Sequence, residues 1–246
     1  FLLILHGLGG SGEQMAQVLN LKTFAQEKQF AYATPDGTPD SMGRRFWNAS
    51  RVCCNFDAKE VDDVARLTHL LEKAARTPQV DRNRMFVVGY SNGGFMAHRL
   101  ACEHSGTVRG IVSMAAAGPV PPETCNPEKS VAVLEIHGDR DAIVPFEGGH
   151  LFSRPEYPVS PRVREGLSPW AKRNGCRGEL HTRNTVDLIE AMPGPDTEIL
   201  GFDQCTGSAI QLWKVIGGAH VLQLGPVARN AIWRFILETS EIPQSG

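Results

Sequence analysis

The sequence predicts an α/β fold built on a mostly parallel central sheet flanked by helices, and three observations carry that reading. Short apolar runs of strand length alternate with longer amphipathic stretches, as strand–helix units do. The first run, Leu2–Leu5, is apolar throughout, the pattern of a parallel strand buried on both faces. Finally, Gly89-Tyr90-Ser91-Asn92-Gly93 joins the run Met85–Val88 to a helix-like run from Gly94 to Glu103, so strand passes to helix through a very tight turn.

The elements follow in order. Gly7, Gly9, Gly10 and Gly12 make the turn after Leu2–Leu5. Glu13–Lys28 reads as a helix, with Met15, Val18, Leu19 and Phe24 as its apolar residues. Phe30–Thr34 is a second strand, stopped by Pro35-Asp36-Gly37. No period is visible from Asp36 to Ala58; a loop this long is either functional or irregularly packed. Lys59–Arg76 is an amphipathic helix, because Val61, Val64, Leu67, Leu71 and Ala74 fall on one side. Then come strand Arg84–Val88, helix Asn92–Glu103, strand Val108–Met114, a proline-marked loop at 119–122 and strand Ser130–Ile136. Ser160–Asn174 leaves room for a helix, Gln211–Ile216 is a strand, and Gly225–Thr239 is a closing helix. No repeat or composition shift divides the chain. Residues 1–246 are therefore read as a single domain, with 146–208 an insertion expected to form part of a pocket wall.

Composition narrows the class of function. The formal net charge of −2 gives no basic surface for nucleic acid or another polyanion. No apolar stretch approaches the ~20 residues of a membrane span, and Phe1–Leu5 is too short to be a signal peptide. No cysteine or histidine cluster has zinc spacing, so neither a metal nor a cofactor is expected. The cysteines number six, an even count that allows either free thiols or disulfides. Cys176 and Cys205 bracket one segment and both sit in glycine-containing turns, which makes them the first pair to join.

Ligands in such folds bind beyond the carboxyl ends of the strands, and the chemistry-bearing residues lie there. His6-Gly7-Leu8-Gly9-Gly10 follows the first strand, and Ser91 follows the run ending at Val88. His137-Gly138-Asp139-Arg140-Asp141 follows Ser130–Ile136, and Gly217-Gly218-Ala219-His220 follows Gln211–Ile216. Gly-x-Ser-x-Gly at a strand-to-helix turn is the nucleophile elbow of α/β-hydrolases, and nucleophile, acid and histidine occur in that fold's chain order. Ser91 is then the candidate nucleophile, a poor one until a base accepts its proton. His220 is the candidate base among eight histidines, because it lies between the last strand and the final helix. His6 is expected to hold the turn of the donor loop, and His137 to sit behind the acid loop. Asp141 is the candidate third member, with Asp139 competing two residues away; the run as far as Val144-Pro145 favours Asp141. The oxyanion donors are expected to be the backbone N–H of Asn92 and that of Leu8, with Gly9 the alternative to Leu8. Trp47, on the long loop, and Tyr90, beside Ser91, are candidate substrate contacts, each weighed against a place in the core. Asn48-Ala49-Ser50 is a glycosylation sequon.

Longer motifs carry a resemblance. Leu5-His6-Gly7, Pro35-Asp36-Gly37-Thr38, Phe46-Trp47-Asn48 with Cys53-Cys54, Val61-Asp62-Asp63-Val64, the extended elbow Gly89–Cys102 and His137-Gly138 with Asp141 and Val144-Pro145 resemble the secreted polyhydroxybutyrate-depolymerase-type esterases. That group is similar to the feruloyl and acetylxylan esterases of carbohydrate esterase family one. The resemblance implies an α/β-hydrolase fold, secretion or a periplasmic location, disulfides, and Ser91, Asp141 and His220 as the triad of a serine carboxylesterase. Its implied substrates are small or polymer-linked esters of aromatic, short acyl or hydroxyalkanoate acids. The same elbow would serve a serine peptidase or acyltransferase, and a non-catalytic polymer-binding relic is the reading of another class. Two departures stand out. Such esterases carry one or two strands before the first strand seen here, which would leave Phe30–Thr34 at a sheet edge. Also, Val221-Leu222-Gln223 replaces the Thr/Ala-Trp-Pro that follows the histidine in many of them.

Overall fold

A computed structural model describes residues 1–240. Its main sheet has eight strands: β1 (Leu2–Leu5), β2 (Tyr32–Ala33), β3 (Phe86–Tyr90), β4 (Gly110–Met114), β5 (Ala132–Gly138), β6 (His181–Val186), β7 (Thr197–Gly201) and β8 (Ile210–Val215). Their order across the sheet is β6-β7-β8-β5-β4-β3-β1-β2. From β8 to β2 every neighbouring pair is parallel, whereas β7 runs antiparallel to both β6 and β8. The sheet is thus mostly parallel with one antiparallel margin.

Alternation along each central strand divides the core between two faces. Leu3, Leu5, Val87, Ile111, Val133 and Leu212 pack on one side against helices α3 (Asp63–Ala75) and α4 (Asn92–Glu103). Leu2, Ile4, Val88, Val112, Leu134 and Trp213 pack on the other side against Met15, Phe24, Ile232 and Trp233. Both faces are covered, which is why these strands read as continuous apolar runs.

Three segments depart from the periodicity. The single helix expected over Glu13–Lys28 is two helices, α1 (Gly12–Val18) and α2 (Leu21–Lys28), broken at Asn20 with φ 51°. Asparagine enters this left-handed region more readily than most residues. The helix expected from Lys59 begins at Asp63, where the Asp62 carboxylate accepts from the N–H of Ala65 and caps the first turn. Strands β6 and β7 come from the segment read as an insertion. Residues His181 to Thr185 of β6 are all exposed, so this polar edge strand carries no apolar alternation to find. The helical content of Ser160–Asn174 is two short pieces, Val163–Gly166 and Ser168–Arg173. All six cysteines are paired, as Cys53–Cys54, Cys102–Cys125 and Cys176–Cys205.

Candidate active site

The parallel strands deliver four loops to one edge of the sheet. Ser91 follows β3 with φ 53° and ψ −116°, a sharp reversal that puts its hydroxyl at the tip of the sheet. The flanking glycines make that reversal possible. A Cβ at Gly89 would overlap the carbonyl of Gly93, and one at Gly93 would overlap the carbonyl of Leu5. Helix α4 starts at Asn92, so its first backbone N–H groups and the positive end of its dipole lie beside Ser91.

His220 stands between Ser91 and Asp141. Its Nε2 is 3.0 Å from Ser91 Oγ, and its Nδ1 is 2.7 Å from Asp141 Oδ2. The backbone N–H groups of Ile143 and Val144 donate to Asp141 Oδ1, each at 2.8 Å. Burial opposes ionisation of Asp141, but hydrogen bonds from His137 and His220 hold its carboxyl well below the usual range. Asp139 does not reach the histidine ring. Its Oδ1 accepts from the N–H of Gly217 at 2.7 Å, tying the acid loop to the loop that carries His220.

The turn after β1 is held by His6. Nδ1 lies 2.7 Å from Gly7 O, and Nε2 accepts the N–H of Gly37 at 2.9 Å, which makes the ring neutral with its proton on Nδ1. Burial lowers its pKa, in keeping with that state. The N–H of Gly9 donates to Arg45 O at 2.8 Å. Of the two candidate donors in this turn, Gly9 therefore has its N–H already engaged within the fold.

Trp47 is fully buried and does not line the cleft at Ser91. Its indole N–H donates to His6 O at 2.9 Å, and its backbone is gripped twice by the side chain of Asn92: the Trp47 N–H donates to Oδ1 at 2.6 Å, and Nδ2 donates to Trp47 O at 2.9 Å. The long loop thus locks the donor turn to the elbow. Asn48 is part of that lock, donating from Nδ2 to Val61 O at 2.9 Å, so the amide of the sequon is occupied within the fold.

Tyr90 does line the cleft. Its hydroxyl donates to the carbonyl of His220 and accepts the N–H of Leu222 at 3.2 Å, which anchors the histidine loop on both sides of the ring. Burial pushes this phenol up to about 12.

The cleft has a volume of about 870 Å³ and a mostly apolar lining that includes Leu8, Ile143, Leu151, Phe152 and the Cys53–Cys54 pair. Adjacent cysteines joined to each other form a rigid wall, and nothing in the periodicity of the long loop marks that role. A second group, His98, Glu135 and His137, lies buried behind Asp141. A sequence signal for it exists: Val133, Glu135 and His137 alternate on β5, which puts a carboxylate and an imidazole on one buried face. Among the described residues no cluster has the makings of a metal site, and no helix is long and apolar enough to cross a membrane.

Comparison with known proteins places similar chains beside this one. Feruloyl esterase B of Piromyces equi is 25% identical over 237 residues, covering 94% of this chain and 41% of that protein. Feruloyl esterase C of Emericella nidulans is 33% identical over 89 residues, 36% of this chain and 32% of that protein. The chain spans 41% of the length of the first curated relatives it matches. Acetyl xylan esterase from Aspergillus awamori superposes with a TM-score of 0.63 at 13% identity, over 96% of this chain and 87% of that one. The Bacillus cereus carboxylesterase gives 0.59 at 17%, over 97% and 87%. At such identities these structures speak for the α/β-hydrolase fold alone. Residues 1–155, more than half of the chain, match the phospholipase/carboxylesterase family, a family of ester hydrolases, and the chain belongs to it.

Proposed function

We propose that this chain is the catalytic domain of a secreted or periplasmic serine carboxylesterase, acting through Ser91, His220 and Asp141. The observation that carries the reading is the unbroken hydrogen-bonded chain from Ser91 Oγ through both ring nitrogens of His220 to Asp141 Oδ2. The serine proton passes to Nε2 of His220 as Oγ attacks the ester carbonyl, and the carboxylate of Asp141 stabilises the imidazolium that forms. The backbone N–H groups of Asn92 and Leu8 receive the oxyanion, each contributing roughly 2.7–4 kcal/mol to the transition state. His220 then protonates the departing alcohol, and water attacks the acyl-enzyme with His220 again as base. Nothing in this sequence of steps calls for a metal or cofactor.

The cleft supports an ester with an aromatic or short apolar acid part. Leu8, Ile143, Phe152 and the Cys53–Cys54 pair would surround such an acyl group, and the names of the relatives make feruloyl esters the first to test. Three disulfides support an oxidising compartment. The experiment is turnover of p-nitrophenyl butyrate by the wild type and Ser91→Ala. Loss of nearly all activity is expected, by about 10⁴-fold or more if Ser91 acts with its partners as a unit; comparable rates would sink the assignment. A peptidase or an acyltransferase would share the acyl-enzyme, so an amide panel and an alcohol-acceptor assay accompany it. Rates on methyl ferulate, acetylated xylan and a hydroxybutyrate oligomer then rank the substrates.

A further inference from the structure

His137 is completely buried, and the geometry assigns its charge. Nδ1 lies 2.9 Å from the carbonyl oxygen of Ala116, and Nε2 lies 2.8 Å from that of Val144. A carbonyl oxygen only accepts, so both ring nitrogens must donate, and a ring that donates from both is an imidazolium. Two carboxylates stand beside it. Glu135, from the same strand, is 3.6 Å from Nδ1, and Asp141, from the acid loop, is 3.2 Å from Nε2.

The neighbouring histidine answers the same test differently. His98, on α4, accepts the indole N–H of Trp170 at Nδ1 (3.1 Å) and faces Glu135 Oε2 through Nε2 (3.1 Å). Because the indole only donates, His98 Nδ1 carries a lone pair and the ring is neutral. The remaining groups around His137 are the edge of the Phe146 ring and, beyond Asp141, His220 and the un-ionised hydroxyl of Tyr90. The fixed charges in this pocket are therefore two carboxylates and one imidazolium.

We propose that His137 is a positioning residue that remains an imidazolium while the enzyme works, and that it sets the proton affinity of His220 by partly neutralising Asp141. The proposal rests on His220 and Asp141 acting as base and orienting acid. A bare Asp141 carboxylate would hold a proton on His220 strongly, leaving the base blocked to higher pH. The cation behind Asp141 weakens that hold and frees the base at lower pH. It also ties the acid loop to the sheet, since the Val144 carbonyl it engages follows Asp141 by three residues. Burial alone would lower the pKa of His137, but its hydrogen bonds and charges with Asp141 and Glu135 prevail and raise it to about 9.

Two measurements test this. The first is histidine-selective ¹⁵N NMR of the wild-type protein at pH 8, where the His137 ring is expected to carry protons on both nitrogens. A spectrum with no doubly protonated ring overturns the proposal whatever any variant does. The second is the pH profile of kcat/KM for His137→Gln and Glu135→Gln on p-nitrophenyl butyrate. Removing the cation is expected to move the acid limb up by about one to two pH units, the scale of a unit charge ~6 Å away at an effective dielectric of ~20–40. Removing the more distant anion moves the limb down by less. Lower rates with unmoved limbs, or limbs that move in the same direction, would make both residues structural and overturn the proposal. If His137→Gln does not fold, the NMR spectrum and the Glu135→Gln limb still decide. Ser91→Ala is run alongside. Retained activity there would defeat the catalytic reading, while the NMR result would stand or fall separately.

Discussion

Tyr90 precedes the proposed nucleophile by one residue, yet its polar atom acts across the site. The ring lines the cleft, and the hydroxyl bridges the His220 carbonyl and the Leu222 N–H. Tyr90→Phe keeps the ring and removes both bonds, so the loop carrying His220 loses its fixed height above Ser91. Misplacement of a catalytic group by about 1 Å can cost on the order of a hundredfold. A fall in kcat of about tenfold or more is expected, with KM little changed because the cleft wall remains. Steady-state kinetics on p-nitrophenyl butyrate checks it; a change confined to KM would make Tyr90 a substrate contact only. The two aromatic residues picked out in the sequence thus separate by where their polar atoms go. Trp47 donates its indole N–H inward to His6 O, and Tyr90 sends its hydroxyl over the cleft to the histidine loop. A residue type and a motif cannot express that difference.

Among the elements, the strand–elbow–helix unit was fully legible, because three requirements coincide in a few residues. Strand β3 must be apolar on both faces, Ser91 must take a left-handed φ, and the glycines must admit backbone where a Cβ would sit. Gly93→Ala tests the last requirement. Its Cβ would meet the backbone carbonyls of Leu5, at the end of β1, and His6, at the start of the donor loop, which have little freedom to retreat. Destabilisation above about 3 kcal/mol, read by urea unfolding, is expected where strain of this kind meets a packed interior. Gly106→Ala is the control: a Cβ there meets nothing within 4 Å, so its effect should stay within roughly 0.5 kcal/mol. Legibility fails where an element owes its place to partners distant in sequence. Strand β6 is polar along its length and exists because β7 pairs with it; the helix expected over Glu13–Lys28 breaks because one asparagine accepts a left-handed turn. The 36–58 loop showed no period because hydrogen bonds to His6, Asn92 and Asp63 order it.

At the scale of the whole molecule, covering both faces of a parallel sheet buries the ends of its strands, and here those ends carry charge. Glu135, His137 and Asp141 lie inside the fold, and the shifts of His137 and Asp141 make its stability depend on pH. The direction follows from the shifts. Asp141 is held below its usual range, so its contribution is present above the unfolded-state pKa of about 3.9 and is lost as pH falls through the folded value. His137 is raised to about 9, so its contribution is complete below the unfolded-state pKa of about 6.5 and is lost as pH rises through 9. Both contributions are whole between roughly pH 4 and 6.5, and the alkaline loss attributable to His137 is on the order of 3 kcal/mol. Unfolding free energies from urea titrations at steps from pH 5 to 9.5 should decline above neutrality in the wild type. In His137→Gln the decline over this interval should be much shallower, from a lower starting value, because the group that releases the proton is absent. A wild-type curve as flat as the variant's would mean that His137 takes up no proton on folding, and the buried charge would have to be reassigned.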